Sequence, residues 1–338
     1  MKKFSLRSSV AYNDNDYHYD WLMKRPPLTY LITLLSSATL WVGCGTSSME
    51  STTDGSSLDT VSEKLDITVS ILPQKYFVER IGGETVDVNV MVKPAASPAT
   101  YEPQPQQMKA LSEAEAYMRI RVPFEKAWMS RIEGANPDMK IVDLTEGIDR
   151  QPIAQHHHHG EENHNHNHEE ETANLDPHIW LSPELVKQQA QTIHQTLVEL
   201  NPDQATLYQD NLDAFLADVE ALDQTIETTL ADLEQRTFMV FHPSWGYFAK
   251  AYNLEMIPIE VEGTEPSAAE LSQFVKQAKE KKISVIFVQP QFGVQSANAI
   301  AQSVNAEVLQ IDPLAENWLE NMQSVATTFK TTLNEKQE

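Results

Sequence analysis

Three short segments of this 338-residue chain carry side chains able to hold a cation: Asp176-Pro177-His178, Phe241-His242-Pro243 and Ile311-Asp312-Pro313. Each sets an imidazole or a carboxylate beside a proline, and the surrounding pattern predicts a strand-to-helix junction, where α/β sheets gather ligand sites. Taken singly, each also fits a plainer role: His178 bonded within a turn, His242 an internal polar residue, Asp312 a helix cap. The chain has one cysteine, Cys44. Neither a disulfide framework nor a thiolate cluster is available, so a metal site here must use imidazole and carboxylate. Of the 11 histidines, seven fall in one run: His156, His157, His158, His159, His164, His166 and His168. They lie in a segment from Arg150 to Asn174 of low hydrophobicity and mixed charge, which predicts a disordered loop. Imidazoles clustered on such a loop make a weak, adaptable accessory site for transition metals.

The elements that must position these residues follow from hydrophobic period. Short β-branched runs at Ile67–Leu72, Val86–Val92, Lys140–Leu144, Phe238–Phe241, Ile283–Val288 and Val308–Ile311 read as strands. Helical patterns lie between them, such as Ala268–Lys282 and Ser182–Leu200, and the alternation predicts two α/β lobes with largely parallel sheets. Between the lobes, Asp203–Gln235 has no Gly or Pro, and Leu207, Leu212, Phe215, Val219, Leu222, Ile226, Leu230 and Leu233 recur three to five apart. That is one amphipathic helix, roughly 50 Å long at 1.5 Å per residue. A coiled-coil dimer is the alternative to an intramolecular spine, and the strand-rich halves on either side favour the spine. The expected order is an N-terminal lobe over 65–200, a linking helix over 201–236 and a C-terminal lobe over 237–338.

Hydrophobic residues make up 41% of the chain, enough for two modest cores, and the formal net charge is −24. Such an acidic balance argues against generic binding to nucleic acid or to an anionic membrane, and makes cations the natural partners. Pro26–Gly43 is uncharged and mostly apolar, follows Lys24-Arg25 and ends at Cys44, as an export signal does. The segment 44–64 is rich in Ser and Thr and reads as a flexible tether. Residues 1–22 carry Asp14, Asp16 and Asp20 where a signal would be basic, which points to Met23 as the start of the signal peptide, 23–43.

The motifs VGCG, SPATYEPQPQQM, DPHIWLSP, FHPSWGYFA, EGTEPSAAEL and IDPLA stand in this order, with the histidine run between the second and third. Together they resemble the zinc and manganese solute-binding lipoproteins of bacterial ABC importers, the cluster A-I family, over Leu65 to the C-terminus. The resemblance implies two lobes on a rigid helix, metal held between them, a lipid on Cys44, and an extracytoplasmic monomer that hands its cargo to a membrane permease. It implies His178, His242 and Asp312 as ligands, and His242 at the third family position implies Zn2+ as the cargo. Ala99 stands where the family's first histidine is usual. Water, Glu102 or His168 are the candidates to complete the shell. Gln289 replaces a frequent acid, and Glu262, Glu265 and Glu270 match family positions, although Ser267 and Glu270 also form a capping-box pattern. A capture protein of this kind does no chemistry on its cargo. The alternatives are a metal-chelate binder, buffer or sensor of the same fold, or an extracytoplasmic zinc hydrolase. No HExxH motif or nucleophile elbow supports the last.

Overall fold

A computed structural model describes residues 64–154, 175–260 and 264–334. The expected signal segment, Cys44, the tether, the histidine run with His168, and Glu262 lie outside the described residues.

The first half runs β1 (Leu65–Val69), α1 (Leu72–Gly82), β2 (Val86–Val90), α2 (Pro105–Glu113), β3 (Ala116–Arg119), α3 (Pro123–Ala135) and β4 (Lys140–Asp143). Two helices follow, α4 (Pro183–Leu200) and α5 (Ala205–Leu230). The second half comprises β5 (Thr237–Val240), α6 (Gly246–Ala251), β6 (Glu255–Pro258), α7 (Ala268–Glu280), β7 (Val285–Val288), α8 (Gln295–Val304), β8 (Glu307–Gln310) and α9 (Trp318–Asn334). Each half builds one four-stranded, all-parallel sheet, in the orders β2-β1-β3-β4 and β6-β5-β7-β8. The two orders are the same winding. In each, the chain leaves the first strand toward one edge and returns to build toward the other, and this reversal opens a crevice at the carboxyl ends of β1 and β3, and of β5 and β7.

Strand cores such as the fully buried Val285–Val288 are continuous apolar runs because helices cover both faces of a parallel sheet. Two strands escaped the sequence reading: β3, whose AYMR is short and carries an arginine, and β6, whose EMIP ends on proline. The long helix is shorter than expected. Pro202–Gln204 forms a separate 3-10 turn, and α5 stops at Leu230 after 26 residues, about 39 Å. Leu233, which extended the apolar period, is buried from the turn that follows. The buried stripe Leu212, Phe215, Val219, Leu222 and Ile226 faces α4 and α1 from the first half and α9 from the second, so α5 is the intramolecular spine. Phe215 packs on Phe77 and Tyr76 of α1, and Arg80 crosses from α1 to pair with Asp218 at 2.6 Å.

The halves are also stapled by two tryptophans. Trp180 Nε1 donates to the Pro313 carbonyl, and Trp318 Nε1 donates to the Trp180 carbonyl, each at 2.7 Å and each buried. These bonds tie the turn after His178 to the segment after Asp312.

Candidate metal centre

His242 lies two residues beyond the end of β5, at the reversal point of the second sheet. Its main chain is locked by Gln289, which follows β7. The Gln289 side-chain Oε1 accepts from the His242 N–H at 3.1 Å, and its Nε2 donates to the His242 carbonyl at 2.7 Å and to Ser244 Oγ at 3.1 Å. An ionised carboxylate has no proton to donate, so glutamine at this position does what an acid does not.

The expected strand end at His178 is not present. The preceding segment contributes an isolated bridge, Pro152 to Leu175, and His178 opens a 3-10 turn, Ile179–Leu181, ahead of α4. Prolines at 177 and 183 keep this stretch from continuing a strand or starting the helix early. Ser182 caps α4, its Oγ accepting from the Leu185 N–H.

The two imidazoles meet between the lobes, with 3.3 Å between their Nε2 atoms. Each ring is held from behind by a carboxylate. Asp176 Oδ1 lies 2.7 Å from His178 Nδ1, and Glu260 Oε1 lies 2.8 Å from His242 Nδ1. A carboxylate accepts, so each Nδ1 carries the proton and each Nε2 presents a lone pair. Burial holds the His178 imidazole below its ordinary range, against the pull of Asp176, and so favours the neutral ligand form. Two lone pairs facing each other at this distance repel unless a cation lies between them. Tetrahedral geometry with Zn–N near 2.0–2.1 Å separates two nitrogen ligands by about 3.3–3.4 Å, the separation found here.

The supports are themselves fixed. Asp176 is fully buried, its Oδ1 also accepts the His178 N–H at 3.0 Å, and its backbone N–H donates to the Gln151 carbonyl at 2.8 Å. Tyr247 Oη donates to the Asp176 carbonyl at 3.0 Å. Gly246 leaves the room this requires, since a Cβ there would stand 2.9 Å from both Asp176 Oδ2 and Gln151 Nε2. The His242 ring stacks on Phe292, centroids 4.9 Å apart, and His178 packs on Trp180 at 5.1 Å.

The other expected ligands stand differently. Asp312 follows β8, but the next helix, α9, starts only at Trp318, and Asp312 caps a turn instead: its Oδ1 accepts from the Leu314 N–H at 2.9 Å and from Gln291 Nε2 at 3.0 Å. It lines a neighbouring cavity with Lys93 and Glu316 and is not on the wall shared by His178 and His242. Glu102 is exposed and is likewise off that wall. Among the described residues, no group of three His, Cys, Asp or Glu side chains gathers around one point. Glu265 accepts from Ser296, and Ser267 and Glu270 form the expected capping box on α7. The sequence reading missed Glu260 as the partner of His242; it follows β6, an element the pattern did not reveal.

Two parallel α/β lobes on a long helix, with a buried and a half-buried imidazole paired between them, define the class of two-lobed metal-binding proteins. The family model for zinc-uptake complex component A, periplasmic (ZnuA), matches residues 67–332. The chain belongs to that family. It is 28% identical over 288 residues to the high-affinity zinc uptake system protein ZnuA of Bacillus subtilis, covering 84% of this chain and 88% of that one. It is 28% identical to the manganese-binding lipoprotein MntA of Halalkalibacterium halodurans, over 79% of this chain and 82% of the relative. Among solved structures, a crystal structure of ZnuA superposes with a TM-score of 0.73 at 47% identity, covering 80% of this chain and 99% of the other. Among the described residues no helix is long and apolar enough to cross a membrane.

Proposed function

We propose that this chain captures Zn2+ outside the cytoplasmic membrane and delivers it to an ABC permease, without chemistry on the cargo. The observation that carries this reading is the pair of opposed Nε2 atoms 3.3 Å apart, each ring backed by its own carboxylate. Imidazole donors suit zinc better than manganese, which prefers oxygen, so this pair favours zinc although a manganese-binding relative exists. His178 and His242 are the ligands in this proposal. Asp312 joins them only if its bond to Gln291 is exchanged for the metal, and water, Glu102 and His168 remain candidates for the open positions. The histidine run is an accessory site. Signal cleavage before Cys44, a lipid on that residue, the tether 44–64 and a monomeric, membrane-tethered state complete the proposal. The support for this part is the sequence pattern and the lipoprotein names among the relatives.

The test is calorimetric zinc titration of the chain carrying alanine at all seven loop histidines, with and without His242→Ala. One tight site that His242→Ala weakens at least a hundredfold is the expected result. Binding unchanged by His242→Ala would remove the cleft from the proposal.

A further inference from the structure

The wall of the cavity beside the imidazole pair has an unexpected charge. The cavity measures about 280 Å3 and is lined by Ala99, Arg121, Lys126, His178, His242 and Phe292, among others, with no Asp or Glu among the described residues of its wall. The chain as a whole carries 24 more acids than bases. A binding site for a bare dication gains from carboxylates and loses from ammonium and guanidinium groups. Here the relation is reversed.

The cations are placed there by the fold. Arg121 follows β3, at the reversal point of the first sheet, as His242 follows β5 at that of the second. It is held in the left-handed region, φ 62°, where a residue with a side chain is strained. The buried Glu125 pins it, accepting the N–H groups of Ile120 and Arg121 at 2.9 Å each. Arg121 Nε pairs with Asp143 at 2.6 Å, and its side chain remains 48% exposed. Arg150 lines the adjoining cavity with Arg121, where Asp143 and Glu146 also stand. Lys126, on the first turn of α3, is exposed and has no ion-pair partner among the described residues.

The volume gives the same indication. About 280 Å3 is at the small end of ligand cavities and far exceeds what one ion with a water needs. Ala99 on its wall supplies no donor, and among the described residues two imidazole nitrogens face each other at the ion position.

We propose that the cleft takes its metal together with a small anionic chelator, an amino acid or hydroxycarboxylate. Its donors fill the coordination positions left open beside Ala99, and its free carboxylate lies against Arg121 and Lys126. The inference rests on the proposed reading of His178 and His242 as zinc ligands, and it names the form in which the ion is bound. No bond is made or broken in the chelator.

The experiment is equilibrium dialysis of the full chain against radiolabelled L-histidine or citrate, with and without equimolar zinc. One chelator retained per chain, only when zinc is present, is expected for at least one of the two probes. Retention is expected to vanish in His242→Ala and to fall at least tenfold in Lys126→Glu, an exposed site where folding is not at stake. Ala99→His is expected to bind zinc and release the chelator. Zinc binding that depends on His242 with neither probe retained overturns this inference and leaves the proposed function standing. Zinc binding indifferent to His242→Ala overturns both. Retention by the chain with alanine at the seven loop histidines, but not by the unaltered chain, assigns the open position to a loop imidazole and also overturns the inference.

Discussion

In the proposed site the imidazole pair relies on atoms that would not touch the metal. Asp176 and Glu260 each fix one tautomer and one ring orientation, and neither can be replaced by its amide without loss. An asparagine or glutamine oxygen still accepts from Nδ1–H, but it carries no charge to raise the basicity of the ring. Asp176→Asn and Glu260→Gln should each weaken zinc about 10- to 100-fold, measured by competition with a chromophoric chelator, with the circular dichroism of the fold unchanged. Asp176 stands in the DPHIW motif two residues from His178, but its role as that ring's partner came from the structure. Glu260 was not apparent in the sequence, because 18 residues and a strand ending in proline separate it from His242. Ala99 was legible as a missing donor from the sequence alone. The cationic wall needed the structure, since Arg121, Lys126 and His242 come from different lobes.

At the scale of elements, periodicity located six of the eight strands among the described residues and the spine, and erred where chain chemistry and tertiary packing overrode it. The helix lost its ends because Pro202 starts a 3-10 turn and because Leu233 finds the core from outside the helix. Phe215 is where α5 grips α1, fully buried against Phe77 and Tyr76 with the Arg80 guanidinium 5.1 Å from its ring. Phe215→Ala should cost about 3–5 kcal/mol in urea unfolding. The junction from β3 to α3 depends on Glu125, which also accepts from Ser70 Oγ at 2.6 Å and from Arg119 at 3.3 Å. Burial pushes its carboxyl above the usual value of 4.5 in spite of these bonds. The folded chain therefore keeps this proton to a higher pH than the unfolded chain. The resulting stabilisation is full below about pH 4.5 and is lost as pH rises through the raised value. Measured against Glu125→Gln at each pH, the unaltered chain should be relatively more stable at pH 4.5 than at pH 7.

For the whole molecule, a formal net charge of −24 stands against a cleft whose described wall is basic. The distant field draws cations toward the protein, and salt screens it over a Debye length of about 10 Å at 0.1 M. Stopped-flow association of free zinc should slow several-fold between about 10 and 150 mM salt, and association of an anionic zinc chelate should slow less. The order of assembly is set by the spine. One of the three helices that α5 packs against is α9, the last described helix, and the bond from Trp318 to the Trp180 carbonyl also waits for it. A nascent chain halted before residue 318 contains the strands of both sheets yet leaves the spine uncovered along one side, with the Trp180 carbonyl lacking its donor. The cooperative unit therefore closes from the carboxyl end, late in synthesis, and through contacts far apart in sequence that slow the search for the native state. Until then the chain is not locked into its final form, as the proposed passage through an export channel requires.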